Sequence, residues 1–261
     1  MLLVGKIIMN NILVINDKIS NYENEYFYVE NNVITFKKNC DCSILYEKCN
    51  NLNIVINVLD NVYVKLFDYM CDLNVESNIV YNLSDNATLL LFKFYANYSV
   101  KEKNIVNLNG YMSKINYNFS NICINNENYN LIINHNNSNS VSNISNKSLC
   151  LENGKIEFNI DTIVEKGNIK CNMNQDTKIV NFGDNNSIIK PNMYVSEDDV
   201  EARHASVIGN FDEEELFYLM TRGINFNDSI KLLVKGYIFS NLIVDMDKRS
   251  KILNVINRYW R

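Results

Sequence analysis

Two kinds of side chain in this 261-residue chain could carry chemistry beyond packing, imidazole and thiol. Only two histidines occur, His135 and His204. His204 lies in Val200-Glu-Ala-Arg-His-Ala-Ser-Val207, which alternates, so a strand there puts Ala202, His204 and Ser206 on one face. A neutral imidazole can ligate iron, and it replaces cysteine in some iron–sulfur centres, which makes His204 the first candidate metal ligand. The competing role is a structural histidine at a strand-to-helix junction. His135 falls in Asn134–Ser148, the most polar window, and is expected in a solvated loop. The seven cysteines are odd in number and form no C-x-x-C, which excludes a disulfide framework and a closed zinc site. Cys40, Cys42 and Cys49 lack further ligands nearby. Cys171, on an expected strand, is a weaker candidate ligand: thiolate chemistry needs exposure or a basic neighbour, and Lys170 points to the opposite face. Glu197-Asp-Asp199 reads as a short acidic turn. The sequence holds no G-x-x-x-x-G-K-[ST] loop and no recognisable nucleophile–base–acid spacing, so the chain is not expected to be an enzyme by itself.

The elements that must position these groups change period near residue 190. Before it run short apolar segments, among them Asn53-Ile-Val-Ile-Asn-Val58, Val62-Tyr-Val-Lys-Leu66 and Thr88-Leu-Leu-Leu-Phe-Lys-Phe94. Many alternate apolar with polar and are rich in Val, Ile, Tyr and Phe, the mark of half-buried strands. The apolar start, Met1–Asp17, reads as strand and not as a signal peptide. Asparagine makes up roughly a fifth of the residues, far above ordinary usage. AT-rich coding would produce this. So would a β-solenoid, where Asn supplies left-handed turns and stacked amides. A β-sandwich and a parallel β-helix both fit the strands, and their irregular spacing leaves the choice open. Lys190-Pro191 forces extended backbone. Helix begins at Asn210 or Asp212, with Glu213, Glu214 and Glu215 complementing the dipole or forming a docking patch. Arg222-Gly223 ends that helix; a second starts at Asn225-Phe-Asn-Asp228 and a third runs from Asp245. These helices carry more apolar positions than so short a unit can bury alone, so they are expected to pack on the β-domain or on another subunit.

Hydrophobic residues are 47% of the chain and the formal net charge is −5. A sizeable core is therefore expected and nucleic acid is not, since phosphate binding needs clustered Lys and Arg. No stretch approaches the ~18 apolar residues of a membrane span, so no membrane partner is expected either. The unpaired thiols point to the cytoplasm.

The segment Lys190-Pro191, Asp198-Asp-Val200, Arg203-His-Ala205, Gly209, Glu215-Leu-Phe-Tyr-Leu219, Arg222-Gly-Ile224 and Gly236-Tyr237 resembles the C-terminal signature of the SufB/SufD family. Gln175 and the apolar run to Phe182 extend the likeness upstream. Members are scaffold components of the Suf iron–sulfur cluster assembly machinery. The resemblance implies a mainly β fold: a right-handed parallel β-helix (β-solenoid), residues 1–207, followed by a small C-terminal helical domain, residues 208–261. It implies that the helical domain binds a SufC-like ATPase, through Glu215, Phe217, Tyr218, Arg222 and Gly223. It implies a dimer with a SufB-like subunit, or with a second copy, paired through the β-helices with a transient iron–sulfur cluster at the interface and no intrinsic cofactor. His204 is then a cluster ligand. SufB-type chains carry Glu after this histidine, where Ala205 stands, and a cysteine near Gln175-Asp-Thr-Lys178, where none occurs; both departures point to the SufD-like side. The family's N-terminal helical domain has no counterpart in the sequence. The rival expectation is a β-solenoid that acts on or binds carbohydrate, which calls for paired carboxylates and exposed aromatics along one face.

Overall fold

The computed structural model describes residues 11–260. Residues 1–10, the first part of the expected N-terminal strand, and Arg261 lie outside the described residues. Two nine-stranded sheets face each other. The first runs β18 (Val200–Gly209), β16 (Cys171–Asn181), β14 (Val141–Cys150), β12 (Lys114–Cys123), β10 (Thr88–Ala96), β8 (Tyr63–Cys71), β6 (Cys40–Glu47), β1 (Asn11–Ile15), β2 (Lys18–Ile19). The second runs β17 (Ile188–Val195), β15 (Lys155–Val164), β13 (Asn126–His135), β11 (Ser99–Leu108), β9 (Asn74–Leu83), β7 (Asn51–Val58), β5 (Val33–Phe36), β4 (Phe27–Glu30), β3 (Tyr22–Glu23). From β5 onward successive strands alternate between the sheets, and neighbours within each sheet are parallel. The fold is thus a parallel β-solenoid, which decides against the sandwich. Stacked asparagines count its coils: the step is 25 residues from Asn57 to Asn82, 27 from Asn107 to Asn134, and 33 from Asn159 to Asn192. That growth is why no fixed repeat is visible in the sequence.

Both readings of asparagine's structural use hold. Amide ladders run Asn57–Asn82–Asn107–Asn134 on one sheet and Asn116–Asn143–Asn174 on the other. Asn16, Asn31, Asn32, Asn61, Asn86 and Asn139 take positive φ at turns, a conformation that Asn tolerates better than most side chains.

Three helices follow: α1 (Glu213–Thr221), α2 (Phe226–Phe239) and α3 (Met246–Tyr259). Their N-caps are Asp212, Asn225 and Asp245, each accepting from a backbone N–H of its own first turn. Helices α2 and α3 lie on the outer face of the first sheet. Val234, Ile238, Leu242, Ile252, Val255 and Ile256 pack there against Phe67, Phe92, Phe94, Ile122, Leu149 and Val180. This is where their surplus apolar positions go. The Asn241 amide donates to the Phe119 and Ser145 carbonyls, and Arg258 and Lys248 pair with Asp72 and Asp41. No helix is long and apolar enough to cross a membrane among the described residues.

Candidate functional site

The two ends of the solenoid are built differently. At the first, strands turn back antiparallel: β2 on β1, and β4 then β3 on β5. At the other, β17 and β18 each have one sheet neighbour and end their sheets parallel. Pro191 sits in β17, where its missing N–H costs nothing if it faces the open edge. β18 stacks on β16 in the register Cys171↔Val200, Met173↔Ala202, Gln175↔His204, Thr177↔Ser206, Ile179↔Ile208. The β16 members of these pairs are buried inside the solenoid. Their β18 partners point the same way, and among the described residues no coil lies above them, so Ala202, His204, Ser206 and Ile208 are exposed. The expected face of β18 is therefore the inner face of a last, uncovered coil.

The acidic turn before β18 is fixed from below. The Glu197 carboxylate accepts from the Gly167 and Asp198 N–H groups, which hold it below the usual carboxylate range. The Lys170 N–H donates to the Asp199 carbonyl at 2.5 Å. Opposite His204, Gln175 is buried; its Nε2 donates to Thr162 Oγ1 at 2.7 Å and the Asn192 carbonyl at 3.3 Å, while its Oε1 has no partner among the described residues.

His204 and Cys171 do not meet. They stand four residues apart along neighbouring strands, roughly 13 Å at strand rise. Cys171 is buried at the start of β16, its thiol 3.2 Å from the Asn168 carbonyl and 3.3 Å from Ser140 Oγ. Among the described residues no three His, Cys, Asp or Glu side chains come close enough to hold a metal ion. Cys42 and Cys49 are buried and Cys40 is half-buried, where burial pushes its thiol up to about 12.

One expectation is overturned. His135 is not in a solvated loop: it ends β13, it is 1% exposed, and most of the polar window after it is β14. Ser142, Asn146 and Ser148 point inward there. The imidazole lies 2.7 Å from Ser140 Oγ and 2.9 Å from Ser142 Oγ, and burial lowers it to about 4. With the Ser140–Cys171 contact this makes a buried chain from thiol to hydroxyl to imidazole to hydroxyl. Sequence polarity hid it, because each member is a residue type that usually faces water.

The helical residues singled out earlier are on α1, which buries no side chain of its own. Phe217 and Tyr218 are 69% and 56% exposed. Glu215 and Tyr218 line a groove of about 860 Å³ with Phe211, Leu219, Leu232 and Tyr237, between α1 and α2. Arg222 donates to the Tyr218 hydroxyl at 3.3 Å and packs on its ring, and Gly223 closes the helix at φ +83°. α1 therefore projects an aromatic, acidic face that the other described residues leave open.

Comparison with known proteins bears on both surfaces. The description "SUF system FeS cluster assembly, SufBD core domain" matches residues 73–237. The iron–sulfur cluster assembly protein SufD of Bacillus subtilis is 32% identical over 76 residues, 29% of this chain and 17% of that protein. A SufBD family protein of Mycobacterium leprae is 48% identical over 48 residues, 18% of this chain and 12% of that one. SufD of Escherichia coli is 35% identical over 48 residues, 18% and 11%. The chain thus spans less than a fifth of each of these relatives. The core-domain match, in contrast, covers well over half of the chain and takes in the later coils, the open end with His204 and the α1–α2 groove: the chain belongs to the SufBD family of iron–sulfur cluster assembly proteins.

Proposed function

We propose that the chain is a SufD-like scaffold subunit, without an activity of its own, that pairs end to end with a SufB-like subunit or a second copy and docks a SufC-like ATPase. The observation that carries this reading is the inequality of the two solenoid ends. At one the sheets end in the short antiparallel strands β2 and β3; at the other they end in the long parallel strands β17 and β18, which add the exposed inner faces of Ala202, His204, Ser206 and Ile208. Uncovered strand edges pair with other strands. His204 stands on that end without further ligands grouped around it among the described residues, which suits a cluster completed by a second chain. The cluster is cargo, held for transfer. Gln175, buried opposite with a free Oε1, can fix the imidazole tautomer. The exposed Phe217 and Tyr218 supply the ATPase contact, and the free thiols support a cytoplasmic location. A carbohydrate-acting solenoid is less well supported: the neighbouring carboxylates Asp68 and Glu102 are buried around Lys93 and cannot meet a sugar.

The test is anaerobic co-purification with a SufB-like subunit and an ABC-type ATPase, followed by cluster reconstitution read by visible absorption. Ile208→Glu should abolish the pairing, Phe217→Asp should release the ATPase alone, and His204→Ala should lower cluster yield with the complex intact. Unchanged pairing in Ile208→Glu would refute the end-to-end reading. Unchanged yield in His204→Ala would return His204 to a structural role.

A further inference from the structure

Where β12 and β14 end, two thiols face each other across the ladder. Cys123 and Cys150 are direct neighbours in the parallel register, and among the described residues no other cysteine is paired with a cysteine. Strands in a sheet lie about 4.8 Å apart, inside the roughly 4.4–6.8 Å between Cα atoms that a disulfide spans. Gly154 holds the corner tight, since a Cβ there would come within 2.8 Å of Cys150 Sγ and 2.9 Å of the Cys123 carbonyl.

Both thiols are fully buried; the next coil stacks Asn181 on Cys150 in register, and Asn185 and Ser187 of the following loop close over it. Asn185, half-buried in the loop between β16 and β17, donates to the Leu151 and Gly154 carbonyls at 2.7 Å each and reaches Cys150 Sγ at 3.5 Å. Its Oδ1 has no hydrogen-bond partner among the described residues. Ser187, from the same loop, donates to Asn181 Oδ1 at 2.8 Å and also approaches Cys150. The Cys150 sulfur thus has three polar neighbours, the Cys123 thiol, the Ser187 hydroxyl and the Asn185 amide, the last two giving their protons at shorter range to Asn181 and to the Leu151 and Gly154 carbonyls. They hold its thiol below the usual range against the opposing effect of burial, while Cys123 is pushed up. A polar surround favours the thiolate of one sulfur, and a second thiol beside it is what a reversible oxidation requires.

We propose that Cys123 and Cys150 are a two-electron oxidation site that closes to a disulfide on meeting a peroxide, with Asn185 as the lid over it. The Cys150 sulfur attacks one peroxide oxygen, the O–O bond breaks, and the leaving hydroxide takes up a proton as water. The Cys123 sulfur then attacks the Cys150 sulfenic acid. The S–S bond forms, the S–O bond breaks, and the departing hydroxide takes the Cys123 proton. Two thiols are oxidised and one hydrogen peroxide is reduced to two waters. The site is independent of the open end, and its failure would leave the scaffold reading untouched.

The experiment uses the full chain, purified reduced and without oxygen. It is exposed to hydrogen peroxide, blocked with N-ethylmaleimide in denaturant and mapped by peptide mass spectrometry. The expected result is the loss of two of the seven thiols, recovered by dithiothreitol, with one Cys123–Cys150 cross-link. Asn185→Ala should form the same cross-link several-fold faster, and Cys123→Ser should leave a sulfenic acid at Cys150 that dimedone traps. Seven intact thiols, a cross-link between other cysteines, or an Asn185→Ala rate equal to wild type would each overturn the proposal.

Discussion

Glu127 offers a test of how the solenoid interior handles charge. It is 3% exposed; its Oε2 accepts from the Tyr129 hydroxyl at 2.8 Å and from the Asn121 amide, and its Oε1 has no partner among the described residues. Two hydrogen bonds favour the carboxylate, but burial outweighs them and raises the carboxyl from 4.5 to about 8. The folded chain therefore holds a proton that the unfolded chain has already lost. Stability from this group is fully present below pH 4.5 and is lost as pH rises toward 8. Each pH unit in that window costs about 1.4 kcal/mol. Two other buried groups act lower in the range. Asp68, raised from 3.8 to about 6, works in the same direction, and His135, lowered from 6.5 to about 4, works in the opposite one. Above pH 6.5 Glu127 alone of the three remains, and from there to pH 8 its contribution falls by about 2 kcal/mol. Glu127→Gln keeps a neutral side chain of the same shape. Urea unfolding of both proteins at intervals from pH 6.5 to 8 should show wild type weakening with pH relative to the variant, from a gap of about 3 kcal/mol already open at pH 6.5 to one about 2 kcal/mol wider at pH 8. Parallel curves would mean that Glu127 is already ionised in the folded chain, and the reasoning from burial would fail.

Lys93 is fully buried, 2.7 Å from Glu102 Oε1 and 3.7 Å from Asp68 Oδ2. Lys93→Met should destabilise by about 3–5 kcal/mol, and adding Glu102→Gln should recover part of it; an equal loss in the double variant would refute the charge argument. Ile256, fully buried where α3 meets the first sheet, should cost about 2–5 kcal/mol as Ala in urea unfolding. Asn86 has φ +54° and donates to Asn61 Oδ1. Asn86→Gly should change stability little and Asn86→Ala should cost about 1–2 kcal/mol; equal losses would make its turn geometry irrelevant.

Much of the fold was legible because several independent signals agreed. Alternation marked the strands, and Asp212, Asn225, Asp245 and Gly223 marked the helix ends where the structure has them. The run Leu89–Phe94 also carried a message that alternation misses. In β10 Leu89, Leu91, Lys93 and Tyr95 point into the solenoid, while Phe92, Phe94 and Ala96 point out beneath α2 and α3. A strand apolar on both faces is covered on both faces, so the sequence already shows where the helices must lie. Coil geometry was not legible, because the step between coils grows from 25 to 33 residues.

The interior polar residues mark the limit of such reading. Polarity assigns a strand's faces only when polar side chains face water, and this solenoid breaks that rule coil after coil. Asp68, Lys93 and Glu102 occupy inward positions, followed by Asn121, Glu127, His135, Ser142, Asn146, Ser148, Gln175 and Thr177, all buried. Each substitutes hydrogen bonding for apolar contact inside the coil, as His135 does between Ser140 and Ser142 and Gln175 does with Thr162. A window such as Asn134–Ser148 then has no apolar face to find and looks like a loop. The same ambiguity reaches His204. On β18 it continues an inward row through Gln175, yet it is exposed because the described chain adds no further coil. Its strand and facing residues could be derived from alternation. Its standing at an open end could not, since that depends on which coil is last in the stack, a property that no local pattern records.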